Sequence, residues 1–297
     1  MIDAWRAHKD EDPDLKAQIH REPLFESPEV TFQFAQNSQD YRFIFGKTPF
    51  NSDDTNSFIN NKWALYETLH DSIPFPHTEA MAKKSDQSHD NIRDSITAKI
   101  NDPEHPFSLP IILKPNSGSL SVNVFVVEDE EQLLPAIKAI REDSDHGDQL
   151  LVQQYLGDEN GPFQEIRAIC LDGKGAIVFE KNTDNATRGV LANPIYWDGA
   201  IPKEITDPDI LQQIDDIATR LHNDHGASYV GFDLMHDNEG RIWVLEANAA
   251  PMGLEKVERE MPNGRHLIDD LTNRMLEKIK HGQDAQSDSP SEGLSLH

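Results

Sequence analysis

The sequence predicts an α+β protein built on antiparallel sheet rather than an alternating βαβ wind. Three observations predict it. Two apolar runs, Tyr229–Met235 and Arg241–Ala247, flank Asp237-Asn-Glu-Gly240, the pattern of a hairpin with a polar turn. Leu150–Tyr155, Glu165–Leu171 and Ala176–Glu180 repeat that pattern, with Asp172-Gly-Lys-Gly175 as a second turn. The amphipathic helices expected at Asp129–Glu142, Asp207–Asp224 and Arg265–His281 follow groups of strands instead of alternating with single ones.

The remaining elements are read in chain order. Residues 1–30 are charged and proline-punctuated, which predicts a loosely packed arm. Val30–Phe34 and Tyr41–Phe45 are short strands by their aromatic and β-branched content. Asn60–His70 is a helix, stopped by the prolines of Ile73-Pro-Phe-Pro-His-Thr78. Pro110–Lys114 and Val122–Val127 are strands separated by Asn116-Ser-Gly-Ser-Leu-Ser121. Residues 182–198 have no period and are long for a connection, which favours a functional loop.

Composition narrows the function. A net charge of −26 in 297 residues argues against general nucleic-acid binding, which needs basic surface to displace counterions. No run approaches the roughly 20 apolar residues of a membrane helix, and the N-terminus lacks a secretory signal. A single cysteine, Cys170, excludes an internal disulfide and fits a reducing, cytoplasmic setting. Any anionic ligand must be held against this acidic field by local positive charge, so well-placed lysines and arginines carry information.

The hairpin offers chemistry. Glu246 and Asn248 are two apart on a strand and share a face, and the turn brings Asp233 back towards them. Two carboxylates and an amide oxygen converging beside apolar strand are costly unless a cation sits between them. Oxygen ligands suit Mg²⁺, which usually keeps waters and phosphate oxygens as well. Lys114 ends a strand at a Ser/Gly turn able to offer N–H groups to phosphate; alone, it reads as a solvated lysine on a hairpin. Lys62, near a helix start, is alone a surface lysine. Glu165 and Arg167 share a strand face, suited to ribose hydroxyls and phosphate or to an exposed ion pair. Lys181 and Arg188 flank the irregular loop and suggest an anionic substrate or a solvated loop. The thirteen histidines are scattered, and His222 and His225 lack a third ligand, so they read as structural. A Gly-x-Ser-x-Gly elbow, a Walker loop and a dinucleotide fingerprint are missing.

Taken in order from Asn60 to Leu276, these segments resemble the ATP-grasp superfamily. Asn61-Lys62 and Ile73-Pro-Phe-Pro76 resemble its lysine-bearing helix and proline turn. Leu109-Pro-Ile-Ile-Leu-Lys-Pro-Asn-Ser-Gly-Ser119 is similar to its phosphate-covering segment, and Leu151-Val-Gln-Gln-Tyr-Leu156 to its adenine hinge. Glu165-Ile-Arg167 resembles the ribose-binding strand, and Phe232-Asp233 with Leu245-Glu-Ala-Asn248 the magnesium motif. Gln153 stands where D-alanine–D-alanine ligase-like members often have Glu, and Asn123 at a usual small position. The region before Asn60 is shorter than the N-terminal α/β domain of many members.

The resemblance implies an ATP-grasp fold of two α+β subdomains clasping ATP behind a shortened N-terminal region. Its divisions are an arm and short leading region at 1–60, a small lobe at 61–150 and a large lobe at 151–281. A disordered tail follows at 282–297. It also implies a carboxylate–amine ligase working through an acyl phosphate on an amino acid or peptide. The alternatives are a kinase, a carboxylate–thiol ligase or a non-catalytic nucleotide module. Asp233, Glu246 and Asn248 would hold one or two Mg²⁺ ions, for which Mn²⁺ can substitute. Lys62 and Lys114 would neutralise phosphate, with Ser117 and Ser119 in the phosphate-covering loop, and Lys181 would also bind the cofactor. Gln153, Gln154, Tyr155, Leu156 and Glu165 would seat adenosine. Arg188, with Arg167 as second choice, would stabilise charge on the acyl phosphate. The expected partners are small carboxylate and amine substrates or a peptide; a homodimer is compatible, and neither nucleic acid nor membrane is expected.

Overall fold

The computed structural model describes residues 15–20, 29–34, 40–43, 48–81, 86–118, 122–142, 149–158, 161–181, 202–251 and 253–281. Ser119, the loop at 182–198 with Arg188, and the tail at 282–297 lie outside the described residues. Strands β1 (Leu15–His20), β2 (Glu29–Phe34) and β3 (Asp40–Phe43) form an antiparallel meander in that order. The first of them is a strand that the reading of residues 1–30 as a loose arm did not include. Leu15, Ala17 and Ile19 fall in register with Phe34, Phe32 and Val30. That is a period-two pattern, short enough to be obscured by the charges and prolines around it.

Helices α1 (Asp53–Ile59) and α2 (Lys62–Leu69) follow, each begun by a side-chain cap. Ser52 accepts from the Thr55 N–H and Asn61 from the Ala64 N–H, satisfying donors that a helix start leaves free. Strand β4 (Thr78–Ala80), helix α3 (His89–Ile100), strands β5 (Ile111–Pro115) and β6 (Phe125–Val127), helix α4 (Leu133–Glu142) and strand β7 (Leu150–Gln154) complete a four-stranded sheet ordered β4-β7-β5-β6. Ile92 and Ile96 of α3 and Leu133, Ile137 and Ile140 of α4 pack against Ile111, Leu113, Leu150 and Val152. All five residues of β5 are buried, which explains its unbroken apolar run and carries Lys114 inside with it. Sequence reading did not anticipate α1 and α3, whose buried positions are few: Ile59 in one, Ile92 and Ile96 in the other.

A short ribbon, β8 (Gly157–Asp158) with β9 (Gly161–Pro162), leads into β10 (Gln164–Leu171), β11 (Lys174–Glu180), β12 (Lys203–Glu204), helix α5 (Pro208–His225), β13 (Tyr229–His236), β14 (Ile242–Asn248), α6 (Leu254–Glu260) and α7 (Gly264–His281). The five-stranded sheet is ordered β12-β11-β10-β13-β14 and is antiparallel throughout. One face puts Ile166, Ala168, Phe232 and Leu234 against Ile210, Ile214, Ile217 and Leu221 of α5. The other puts Ile169, Leu171 and Tyr229 against Leu271, Met275 and neighbouring residues of α7. On that second face the chemistry changes along β10. Ile169 and Leu171 are apolar beneath α7, while Arg167 and Glu165, further back on the same face, are charged.

Edge strand β14 is closed off by three acceptors. The N–H groups of Ile242, Val244 and Ala249 donate to Gln213 Oε1 (3.1 Å), the Pro74 carbonyl (2.8 Å) and Asn60 Oδ1 (2.9 Å). The Pro74 bond docks the proline turn onto the five-stranded sheet. Among the described residues no helix is long and apolar enough to cross a membrane.

Gly231 shows how tightly the hairpin end is packed. A Cβ there would stand 2.4 Å from Pro251 Cβ, part of a rigid ring that cannot swing aside. We expect Gly231→Ala to destabilise the chain by about 1–3 kcal/mol, the usual cost of overpacking. Urea unfolding checks this, and an unchanged midpoint would contradict it.

Candidate active site

The β13–β14 hairpin assembles the expected metal residues. Asp233 lies directly opposite Glu246, and Asn248 opposite Gly231. The register then slips: Leu234 pairs with Val244, so Leu245 is an extra residue, a bulge. The Leu245 carbonyl is taken up by Lys114 Nζ at 3.2 Å. Asn248 Nδ2 approaches Asp233 Oδ2 (3.4 Å) and Glu246 Oε1 (3.3 Å), so the three groups meet at one point.

Cations surround that point. Arg167 is the register partner of Asp233, with Nε 3.2 Å from Oδ1. Lys181 Nζ lies 2.5 Å from both Asp233 Oδ1 and Glu165 Oε1. Burial would push the Asp233 carboxyl up; the charges of Arg167 and Lys181 and the hydrogen bonds around it win and hold it well below the usual carboxylate range. Burial would likewise lower Lys181, but Asp233 and Glu165 outweigh it and its ammonium is held above its ordinary value. On the far side Lys62 Nζ sits 3.4 Å from Glu246 Oε2 and donates to the Gly118 carbonyl at 2.9 Å.

Lys114 is different. It is buried, and its described hydrogen bonds go to neutral oxygens, Gln153 Oε1 (2.9 Å) and the Leu245 carbonyl. Burial drives its pKa down to about 8, with Glu246 and Asp233 opposing and Lys62 assisting. Four cations, Lys62, Lys114, Arg167 and Lys181, thus face three carboxylates, Glu165, Asp233 and Glu246, among the described residues. The cluster is locally cationic in an acidic chain, a setting suited to phosphate. The metal also fits the donors: two carboxylates converge with an amide whose other end is an oxygen, a hard-oxygen set matching Mg²⁺ or Mn²⁺.

The other expected residues fall around this centre. Asn116 Oδ1 accepts from the Trp63 N–H (2.8 Å), pinning the loop that carries exposed Ser117 to the start of α2. Asn123 has φ of 57°, the left-handed conformation that explains a small residue's preference there and that Asn tolerates. The Gln154 N–H donates to the His77 carbonyl (2.8 Å), and Tyr155 and buried Leu156 continue past β7. Gln153, expected at the adenine edge, spends its side chain on Lys114 and on Thr78 Oγ1 (2.9 Å). Thr78 and the Leu245 carbonyl were missed by sequence reading. A bulge leaves no sequence signal, and Thr78 looks like any strand residue after a proline turn.

One group of histidines is less scattered than the sequence suggested. His77, Glu79 and His105 gather with Lys99. The Phe107 N–H donates to His105 Nδ1 (3.2 Å), which leaves Nε2 as the protonated nitrogen, 3.0 Å from Glu79 Oε1. A metal-bound imidazole shows the reverse arrangement. The cluster is therefore a carboxylate held by donors, tying edge strand β4 to the end of α3. Burial raises Glu79, and the Lys99 and His77 hydrogen bonds outweigh it and lower its pKa.

Fold and site together define a nucleotide-binding α+β protein of the ATP-grasp class. The RimK-like ATP-grasp domain model matches residues 60–263, and the chain belongs to that family. It is similar to beta-citrylglutamate synthase B of Danio rerio, 25% identical over 191 residues, 64% of this chain and 42% of that one. A D-alanine–D-alanine ligase of Xanthobacter autotrophicus is 42% identical over 156 residues, 50% of this chain and 48% of that one. The chain therefore spans less than half the length of either relative. In fold it is similar to a D-cycloserine synthetase, with TM-score 0.53 and 18% identity, covering 73% of this chain and 71% of that one. A Bacillus anthracis D-alanine–D-alanine ligase complexed with ATP gives TM-score 0.52 at 17% identity, covering 77% and 69%.

The Lys114 environment gives a pH dependence. Below pH 8 the ammonium is protonated before ligand arrives; above it, the free site must take up a proton to present a cation to phosphate. MgATP affinity is expected to be flat from about pH 6.5 to 7.5 and to weaken roughly tenfold by about pH 9. Lys114→Arg should remove the break, because guanidinium keeps its proton. Calorimetry across pH checks this, and wild-type affinity unchanged to about pH 9.5 would contradict it.

Proposed function

We propose that the chain is an ADP-forming ligase that joins a carboxylate to the amine of an amino acid or peptide through an acyl phosphate. The observation that carries this reading is the cross-strand pair Asp233–Glu246, joined by Asn248 and ringed by Lys62, Lys114, Arg167 and Lys181. Support for the acceptor class comes from the names of the relatives, a citrylglutamate synthase and a D-alanine–D-alanine ligase. Asp233, Glu246 and Asn248 would hold Mg²⁺, which when bound supplies neutralisation of phosphate charge.

The chain's own residues do the rest of the work. Lys62 and Lys114 bring two ammonium groups to the phosphate side of the site, from α2 and from the end of β5. Arg167 and Lys181 hold Asp233 ionised, so that the carboxylate is ready as a ligand rather than protonated. Glu165 is fixed by Lys181, and among the described residues its second oxygen is left to accept from a sugar hydroxyl. In this reading Arg167 is a positioning group for Asp233, and Arg188 takes the role of stabilising the acyl phosphate.

Glu246→Gln keeps size and removes one anionic oxygen from the metal set. Turnover is expected to fall by ~10²–10³, the scale of losing one well-placed electrostatic group. The measurement is ADP release across a panel of amino-acid and peptide pairs, with product mass as confirmation. Near-normal ADP release by the variant would sink the metal assignment.

A further inference from the structure

The Ile73–Pro76 turn, Gln153 and the Leu245 bulge belong to different parts of the chain, yet hydrogen bonds join them into one ring. Pro74 accepts from the Val244 N–H (2.8 Å). Two residues on, the Pro76 carbonyl accepts from Thr78 Oγ1 (2.9 Å), which in turn accepts from Gln153 Nε2 (2.9 Å). Gln153 Oε1 accepts from Lys114 Nζ (2.9 Å), and Lys114 donates to the Leu245 carbonyl (3.2 Å), one residue beyond Val244. The ring thus runs from β14 through the proline turn, β4, β7 and β5 and back to β14.

Chemistry fixes the direction of every bond in it. A lysine ammonium has donors and no acceptor, so the amide atom facing Lys114 must be Oε1. That puts Nε2 towards Thr78, whose hydroxyl accepts there and passes its own hydrogen to Pro76. Gln153 and Thr78 are both buried, 5% and 3% exposed, so water cannot replace either at low cost.

We propose that Gln153 is a positioning residue, acting on nucleotide through Lys114. Its neutral oxygen holds the Lys114 ammonium between β7 and the bulge carbonyl, back from Glu246, without cancelling the charge. With no acceptor at 153, Lys114 keeps its bond to Leu245 and is drawn towards Glu246, its main attracting charge. There it competes with the divalent cation for that carboxylate. A glutamate at 153 would hold the ammonium equally well but pair with it, and subtract from its pull on phosphate. The claim rests on the ATP-ligase reading above and adds to it a determinant of affinity that a carboxylate at this position would not supply.

A double-mutant cycle on MgATP affinity, read by calorimetry at pH 7, separates the two claims. Gln153→Ala is expected to weaken binding about tenfold in the wild-type background, the scale of one hydrogen bond to a charged group. In the Lys114→Met background the same substitution should change affinity less than about twofold. Near-isosteric Gln153→Glu should also weaken binding, although it keeps the packing and the bond. Thermal melts confirm that each variant is folded, and Thr78→Val, which removes the anchor of the amide together with the hydroxyl's bond to Pro76 and leaves Gln153 and Lys114 in place, should give a smaller loss in the same direction. Independent, additive effects of Gln153→Ala and Lys114→Met would overturn the proposal, as would Gln153→Glu binding as tightly as wild type. If Lys114→Met alone leaves MgATP affinity unchanged, the failure lies with the nucleotide-site reading instead.

Discussion

The need to compensate Asp233 organises this molecule. Its carboxylate is buried on a strand, an expensive position for a charge without partners. Arg167 answers from the neighbouring strand in register, and Lys181 answers from the end of β11 while also holding Glu165. Removing one partner from such a buried set typically costs about 3–5 kcal/mol, because the others are left uncompensated. The arrangement is self-consistent only because antiparallel pairing puts 167, 233 and 246 side by side on one face. It also means that cations stand around the Asp233 and Glu246 oxygens before any ligand arrives. In a chain with net charge −26, that local reversal of sign is what an anionic nucleotide requires.

A second constraint joins the two sheets. The bulge at Leu245 makes a carbonyl available exactly where the hairpin would otherwise have paired it, and a lysine from β5 reaches it. One residue earlier, β14 binds the proline turn. These contacts close an edge strand that would otherwise be open, and they bring Lys114 within the field of Glu246 and Asp233. Asn116 and Lys62 repeat the device nearby, tying the loop after β5 to the start of α2. Positioning Lys62 and Lys114 and holding the sheets together are thus done by the same bonds.

Much of this was legible in the sequence. Alternation and turn chemistry located β10, β11, β13 and β14 to within a residue or two, and side-chain parity put Glu246 and Asn248 on one face. The expectation that Asp233 returns beside them became direct register with Glu246. Helices with a broad apolar stripe, such as α5, were foreseen, whereas α1 and α3 bury too few residues to show one. Strand β1 was missed because its alternation lasts only six residues amid charge and proline. The partner choices were harder. Glu165 and Arg167 read as ribose and phosphate ligands or as a cross-strand ion pair on an exposed face; Arg167 is in fact buried, and each is bound to a different group, since pairing across strands is decided by register. Gln153 carried a role borrowed from resemblance, and only its neighbours in space assign it to Lys114.

The central claim is that this charge-compensated hairpin is a magnesium-dependent nucleotide site. It is tested most directly by titrating ATP into the full chain by calorimetry, with Mg²⁺ and then with EDTA in its place. The account predicts one ATP per chain with Mg²⁺ and at least a tenfold loss of affinity without it, the divalent cation being what reconciles triphosphate with Asp233 and Glu246. Equal affinity in both conditions, or no ATP binding in either, would contradict it.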